Sequence, residues 1–202
     1  MIQMNVIFFF ELIGTIAFAI SGASVAIKKN MDVFGVIVLG TTTAVGGGII
    51  RDILLGITPP MAFKNPIYTL IAIVISILVF GVREDVFEEN RIVLLMDDIG
   101  LGVFTVVGVK AGIPFDNSFL CIFVGVLTGV GGGVLRDLFA GRIPSIFSKH
   151  FYACASICGA ILSTYIWKIN SILSMISGAV IVVLLRILAA KYRWNLPKAN
   201  KV

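Results

Sequence analysis

Two arginine–aspartate pairs, Arg51-Asp52 and Arg136-Asp137, each stand three residues after a run of three glycines. Gly46-Gly47-Gly48 precedes the first pair and Gly131-Gly132-Gly133 the second. Both blocks sit in apolar surroundings, where a charge costs at least about 2–3 kcal/mol and must face protein or water. Such pairs either lock helices together or gate and set the field of a polar passage. Glycine in a helix costs about 1 kcal/mol relative to alanine. In lipid, a broken helix survives only where its freed backbone faces protein or a water-filled cavity. The triplets therefore predict two kinked or unwound helices facing a shared interior. The competing account is close packing, since glycines let membrane helices approach.

Thr41, Thr42 and Thr43 lie just before the first triplet, and Thr128 before the second. Hydroxyls and freed carbonyls suit a partly dehydrated alkali cation, which makes these residues candidates to line a pore. A threonine can instead bond back onto its own helix. Glu11 and Asp97 either draw cations to two mouths or pair with a nearby arginine. His150, beside Lys149, reads as a loop or interfacial residue. Cys121, Cys154 and Cys158 form neither a metal-ligand pattern nor a disulfide framework. No GxxxxGK[ST], HExxH or GxSxG motif is present. The expectation is a protein without catalysis, resident metal or cofactor.

The elements that carry these residues follow from composition. Of 202 residues, 58% are hydrophobic and 13% charged, and mean hydropathy is +1.06. Soluble domains are nearer a quarter charged, so a water-soluble enzyme and a disordered chain are both excluded. An all-α integral membrane protein remains, with the whole chain 1–202 as one transmembrane domain. Seven apolar segments can be drawn: Val6–Ile27, Val33–Leu55, Pro66–Val82, Ile92–Val109, Ser118–Phe139, Phe151–Trp167 and Ile172–Ala190. A charged loop, Arg83–Arg91, separates the third from the fourth, and a basic tail, 191–202, ends the chain. The first segment carries Glu11 and reads as a retained helix rather than a cleaved leader. Tyr152, Tyr165, Trp167, Tyr192 and Trp194 fall near segment ends, as interfacial anchors do.

The net charge of +5 reads as loops facing anionic lipid, not as a nucleic-acid surface. With the N-terminus outside, 12 of the 16 lysines and arginines fall on the inner side. That bias predicts an external N-terminus and a cytoplasmic C-terminus.

The second and fifth segments are copies. Gly40–Gly56 and Gly125–Gly141 match at 9 of 17 positions, including five glycines and the Arg-Asp pair. Pro59 falls on Pro144. With one residue of gap, Glu11, Ile13, Gly14, Phe18 and Gly22 fall on Asp97, Ile99, Gly100, Phe104 and Gly108. Asp98 has no acidic counterpart. Each repeat is three helices (about 6–82 and 92–167), and a seventh helix, about 172–190, is extra. Three is odd, so the halves are inverted. Inverted repeats with interrupted helices in matching places point to a central transport site. The symmetry suggests cross-repeat pairing, Arg51 with Asp137 and Arg136 with Asp52, or capping of exposed backbone carbonyls.

Two GGGxxRDxxxG blocks in inverted three-helix repeats plus a seventh helix resemble prokaryotic members of the trimeric intracellular cation channel (TRIC) family. Bacterial relatives of that kind also carry the label "glycine transporter" domain. The resemblance implies a homotrimer in a prokaryotic plasma membrane, in contact with membrane lipids, with one ion pathway per protomer between bent second and fifth helices. It implies permeation of monovalent cations, K+ and Na+, with Gly46–Gly48 and Gly131–Gly133 as the kinks and the Arg-Asp pairs carried over. Animal members have Lys-Glu-Val where this chain has Gly132-Gly133-Val134, so their phosphoinositide-binding lysine is missing. Two rival functions remain: a secondary transporter of a small zwitterion such as glycine, and a structural or lipid-organising trimer.

Overall fold

Asp32 and Asn117 hold equivalent places before the two glycine-rich segments, and each caps the helix that follows. The Asp32 carboxylate accepts the Gly35 N–H at 2.8 Å and the Asn117 side chain the Leu120 N–H at 3.0 Å, satisfying donors the helix leaves open. In the computed structural model, residues 2–82, 90–148 and 151–194 are described. Their main helices are α1 (Ile2–Ile27), α2 (Val33–Leu54), α3 (Ile67–Phe80), α4 (Asn90–Gly112), α5 (Ser118–Phe139), α6 (Tyr152–Trp167) and α7 (Ser171–Tyr192). Single helical turns, Met61–Lys64 and Ser145–Ser148, precede α3 and α6. The described residues contain no strand. Five helices are long and apolar enough to cross a membrane, while α3 and α6 are apolar but shorter. The expected loop residues Arg83–Glu89, Lys149, His150 and the tail from Asn195 onward lie outside the described residues.

Polarity is turned inside out. Phe34, Leu70, Phe119 and Tyr165 face outward, while Asp52, Asp97, Asp98, Arg136, Asp137 and Arg186 are buried. That arrangement suits a hydrocarbon solvent and a polar interior.

Each repeat is a three-helix unit. Helix α3 packs on α1 and α2, and α6 packs on α4 and α5; the halves meet through α1–α4 and α2–α5. The meeting is reciprocal. Phe104 packs over Gly14 and Phe18 over Gly100. The two phenylalanine rings stack at 5.3 Å with an angle of 29°. These four residues are the pairs matched in the sequence repeat. Helix α7 lies outside this symmetry and packs on α4 and α6.

The glycine triplets sit within uninterrupted helix in both α2 and α5, so the expected unwinding is absent. The close-packing account explains why. A Cβ on Gly47 would collide with the Thr128 carbonyl oxygen, and one on Gly132 with the Thr43 carbonyl oxygen. A Cβ on Gly131 would lie 3.1 Å from Gly47 Cα. The two helices thus cross backbone to backbone at the triplets, and both remain helical through the crossing.

Candidate functional site

The rest of the repeated motif ends each helix and folds the chain back. Gly56 and Gly141 adopt φ of 70° and 64°, the left-handed conformation that glycine accepts without a Cβ penalty. Beyond them the Ile57 N–H bonds the Asp52 carbonyl at 2.8 Å, and the Arg142 N–H the Asp137 carbonyl at 3.0 Å. The aspartate side chains then catch the returning chain. Asp52 Oδ2 accepts the Met61 N–H at 2.8 Å and Asp137 Oδ2 the Ser145 N–H at 2.7 Å. Each arginine lies on its own neighbour: Arg51 Nε donates to Asp52 Oδ1 at 2.8 Å and Arg136 Nε to Asp137 Oδ1 at 3.0 Å. The expected cross-repeat pairs are therefore not formed. The loops that follow occupy the carboxylates first, because their backbone N–H groups need an acceptor.

Two pockets flank these clasps. One, of about 410 Å³, is lined by Ser21, Lys28, Asp97, Asp98, Arg136, Arg142 and Arg186 among others. The other, of about 80 Å³, is lined by Glu11, Thr15, Gly48, Arg51, Asp52, Tyr68 and Phe104 among others. Glu11 and Lys28 belong to different pockets, Glu11 in the first half of α1 and Lys28 one residue past its C-terminal end. At 1.5 Å per residue their separation along the helix is about 25 Å, so the pockets lie toward opposite ends of the bundle. The Phe18–Phe104 stack sits between those levels.

The pockets differ in their bonding. Arg136 Nη1 reaches across the repeat boundary to Ser21 Oγ on α1 at 2.6 Å and also holds Asp97. Asp137 additionally accepts from Arg142 Nε at 2.8 Å. Asp98 accepts from Arg186 Nε on α7 at 2.6 Å. In the other pocket Glu11 accepts from the Tyr68 hydroxyl. Glu11 and Asp97 therefore each line a pocket, and each also has a partner: a tyrosine for Glu11, an arginine for Asp97.

The threonine hydroxyls divide. Thr43 and Thr128, equivalent in the repeats, bond back to the Leu39 and Val124 carbonyls, both at 2.6 Å. The Thr41 hydroxyl is buried without a partner among the described residues, and Thr42 is half-buried. Tyr165, Tyr192 and Trp194 are exposed, as anchors would be, but Tyr152 is fully buried. Its ring lies 4.7 Å beneath the Arg186 guanidinium. Sequence reasoning missed Ser21, Tyr68 and Arg186 as pocket residues, and Tyr152 as a buried one. One signal was present: Asp98 and Arg186 are the unmatched acid and the arginine of the unmatched helix, and they pair.

A family model described as "glycine transporter" matches residues 8–84 and 94–168, one stretch in each repeat. The chain is 36% identical to the UPF0126 inner membrane protein YadS of Escherichia coli K12, covering 95% of both chains. It is 35% identical to the UPF0126 membrane protein YvgT of Bacillus subtilis 168, covering 94% of this chain and 95% of that protein. Among solved structures, a TRIC cation channel studied for its conductance superposes with a TM-score of 0.87 at 37% identity, covering 96% of this chain and 97% of that one. A TRIC orthologue from Rhodobacter sphaeroides also gives 0.87, at 30% identity, covering 94% and 99%. A trimeric intracellular cation channel from C. elegans, solved with bound Ca2+, gives 0.62 at 15% identity over 91% of this chain and 90% of that one, which shows the fold alone.

Proposed function

The chain belongs to the glycine transporter (UPF0126) family and is a prokaryotic member of the TRIC channels, and from that premise we propose that it is a passive, potassium-permeable monovalent cation channel. The ion path runs within each protomer, between α2 and α5. The observation that carries this reading is the pair of pockets, each lined by buried charged side chains, on the two sides of the Phe18–Phe104 level. Glu11, bonded by the Tyr68 hydroxyl and not by a cation, favours cations over anions in the smaller pocket, and in the larger one Asp97 does so only when Arg136 leaves it. The stack is a dry constriction of the kind that gates by dewetting. The glycine crossing beside it is where α2 and α5 bend as the path opens, because glycine holds a helix less firmly than any residue but proline.

Seven helices cross the membrane in this reading, α3 and α6 included, as two inverted repeats with α7 appended. The N-terminus is outside and the C-terminus cytoplasmic, in a prokaryotic inner membrane. Three protomers assemble, as in the TRIC structures the chain resembles. Lipids contact the outward apolar faces, and K+ and Na+ are the permeant ions rather than bound cofactors.

The zwitterion transporter is the less favoured reading, since the matching solved structures are cation channels. A planar-bilayer recording of the purified protein under a KCl gradient separates the two. Discrete unitary currents reversing near the potassium equilibrium potential are the expected result. Saturable glycine uptake into liposomes without unitary currents would overturn it.

A further inference from the structure

The two repeats hold the same three kinds of group in two different arrangements. In the first, the acid Glu11 is bonded by the Tyr68 hydroxyl, and Arg51 lies on Asp52. In the second, the acid Asp97 is taken by Arg136. The tyrosine at the head of α6, Tyr152, is left with a buried hydroxyl that has no partner among the described residues. Only 2% of Tyr152 is exposed. Where a Cβ on Gly133 would stand, Tyr152 Oη is 2.9 Å away and Arg136 Nη2 3.6 Å. Hydroxyl and guanidinium therefore flank the third glycine of the triplet, beside the acid they would share. A buried hydroxyl without a partner calls for a conformation that uses it.

We propose that Tyr152 and Arg136 exchange the Asp97 carboxylate when the larger pocket opens. The guanidinium leaves Asp97 and Ser21 but keeps its Nε bond to Asp137, and the Tyr152 hydroxyl donates to Asp97 in its place. The first repeat is this second arrangement held permanently, with arginine on the adjacent aspartate and tyrosine on the acid. Tyr68 and Tyr152 stand one place apart in the alignment of the repeats, but each lies in the first turn of its helix, so the arrangement of the first repeat is a state open to the second. The exchange severs the Arg136–Ser21 bond between α5 and α1 and withdraws a cation from the pocket. The Arg186 guanidinium over the Tyr152 ring keeps that ring in reach throughout. Tyr152 is thus a positioning residue for the acid, and this role rests on the channel reading.

Two measurements test it. In planar bilayers, Tyr152→Phe lowers open probability about fivefold to tenfold, the shift one net hydrogen bond supplies, and leaves unitary conductance unchanged. In detergent, Tyr152→Phe leaves the melting temperature unchanged or higher in the wild-type background, where the hydroxyl is unpartnered. In the Arg136→Gln or Arg136→Lys background it lowers the melting temperature, because the hydroxyl then holds Asp97. Arg136→Lys keeps the charge in case the glutamine variant does not fold. Unaltered open probability in Tyr152→Phe, or the same thermal shift in all backgrounds, would overturn the exchange. A wild-type protein without currents would sink the channel reading alone, and the thermal comparison would still decide the exchange.

Discussion

Asp98 and Arg186 are bonded at 2.6 Å, both almost fully buried, and neither has a counterpart in the first repeat. Through them the seventh helix is fastened to the second repeat alone. Breaking a buried pair by removing one partner costs about 3–5 kcal/mol, whereas replacing both by apolar groups is often neutral. Asp98→Asn is therefore expected to lower the melting temperature sharply, and Asp98→Leu with Arg186→Met to recover most of it. Thermal denaturation of the purified protein checks this, and a double variant as unstable as the single would refute it.

The glycines of one triplet are not equivalent. Gly132→Ala would drive a methyl into the Thr43 carbonyl, but the nearest atom to a Cβ on Gly48 is Arg51 Nη2 at 3.8 Å. Overpacking of this kind costs roughly 1–3 kcal/mol. Gly48→Ala removes a helix-weakening glycine and is worth up to about 1 kcal/mol in the other direction. Opposite shifts in melting temperature are expected, and equal ones would contradict the backbone crossing.

The two aspartate clasps differ in load. Asp137 accepts from Arg136, Arg142 and the Ser145 N–H, while Asp52 accepts from Arg51 and the Met61 N–H. Asp137→Asn should thus destabilise more than Asp52→Asn. Hydrogen exchange at the Ser145 amide should accelerate in the first variant, and at Met61 in the second. Slow exchange at both amides would remove the clasp.

Arg136 bridges α5, α4 and α1, whereas the side-chain bonds of Arg51 among the described residues go to its neighbour Asp52. Substituting Arg136 with alanine is expected to change open probability more than Arg51→Ala does. Single-channel recording reads the difference, and identical behaviour of both variants would place neither in the gate.

Phe18 and Phe104 stack at a level between the two pockets, the constriction of the proposed path. Phe104→Ala is expected to raise unitary conductance, since the side chain both lines a pocket and caps the stack. Conductance equal to wild type would move the narrowest point elsewhere.

The repeat was legible because identity at fixed offset survives in the chain: Gly14, Phe18, Gly100 and Phe104 were aligned before their rings and backbones were seen to interlock. The ends of the second and fifth segments were legible too, since Leu55 and Phe139 lie within one residue of the observed helix ends. What was not legible is anything that depends on how helices are rotated against each other. Spacing along the chain shows that Arg136 and Asp97 share an interior, not that they touch. The glycine triplets were read by their cost in an isolated helix, and the closeness of α2 to α5, which offsets that cost, is a tertiary fact. Tyr152 stands near a segment end, where an interfacial anchor and a buried core residue look alike in sequence.

The reciprocal seating of each phenylalanine on the other repeat's glycine carries a historical consequence. A single three-helix chain, half as long and inserted in both orientations, would build that same interface from one set of residues. Any substitution in it would have been felt twice. In one chain with two halves each half varies by itself, and the second carries Asp98 and Tyr152 where the first has Leu12 and Ile67.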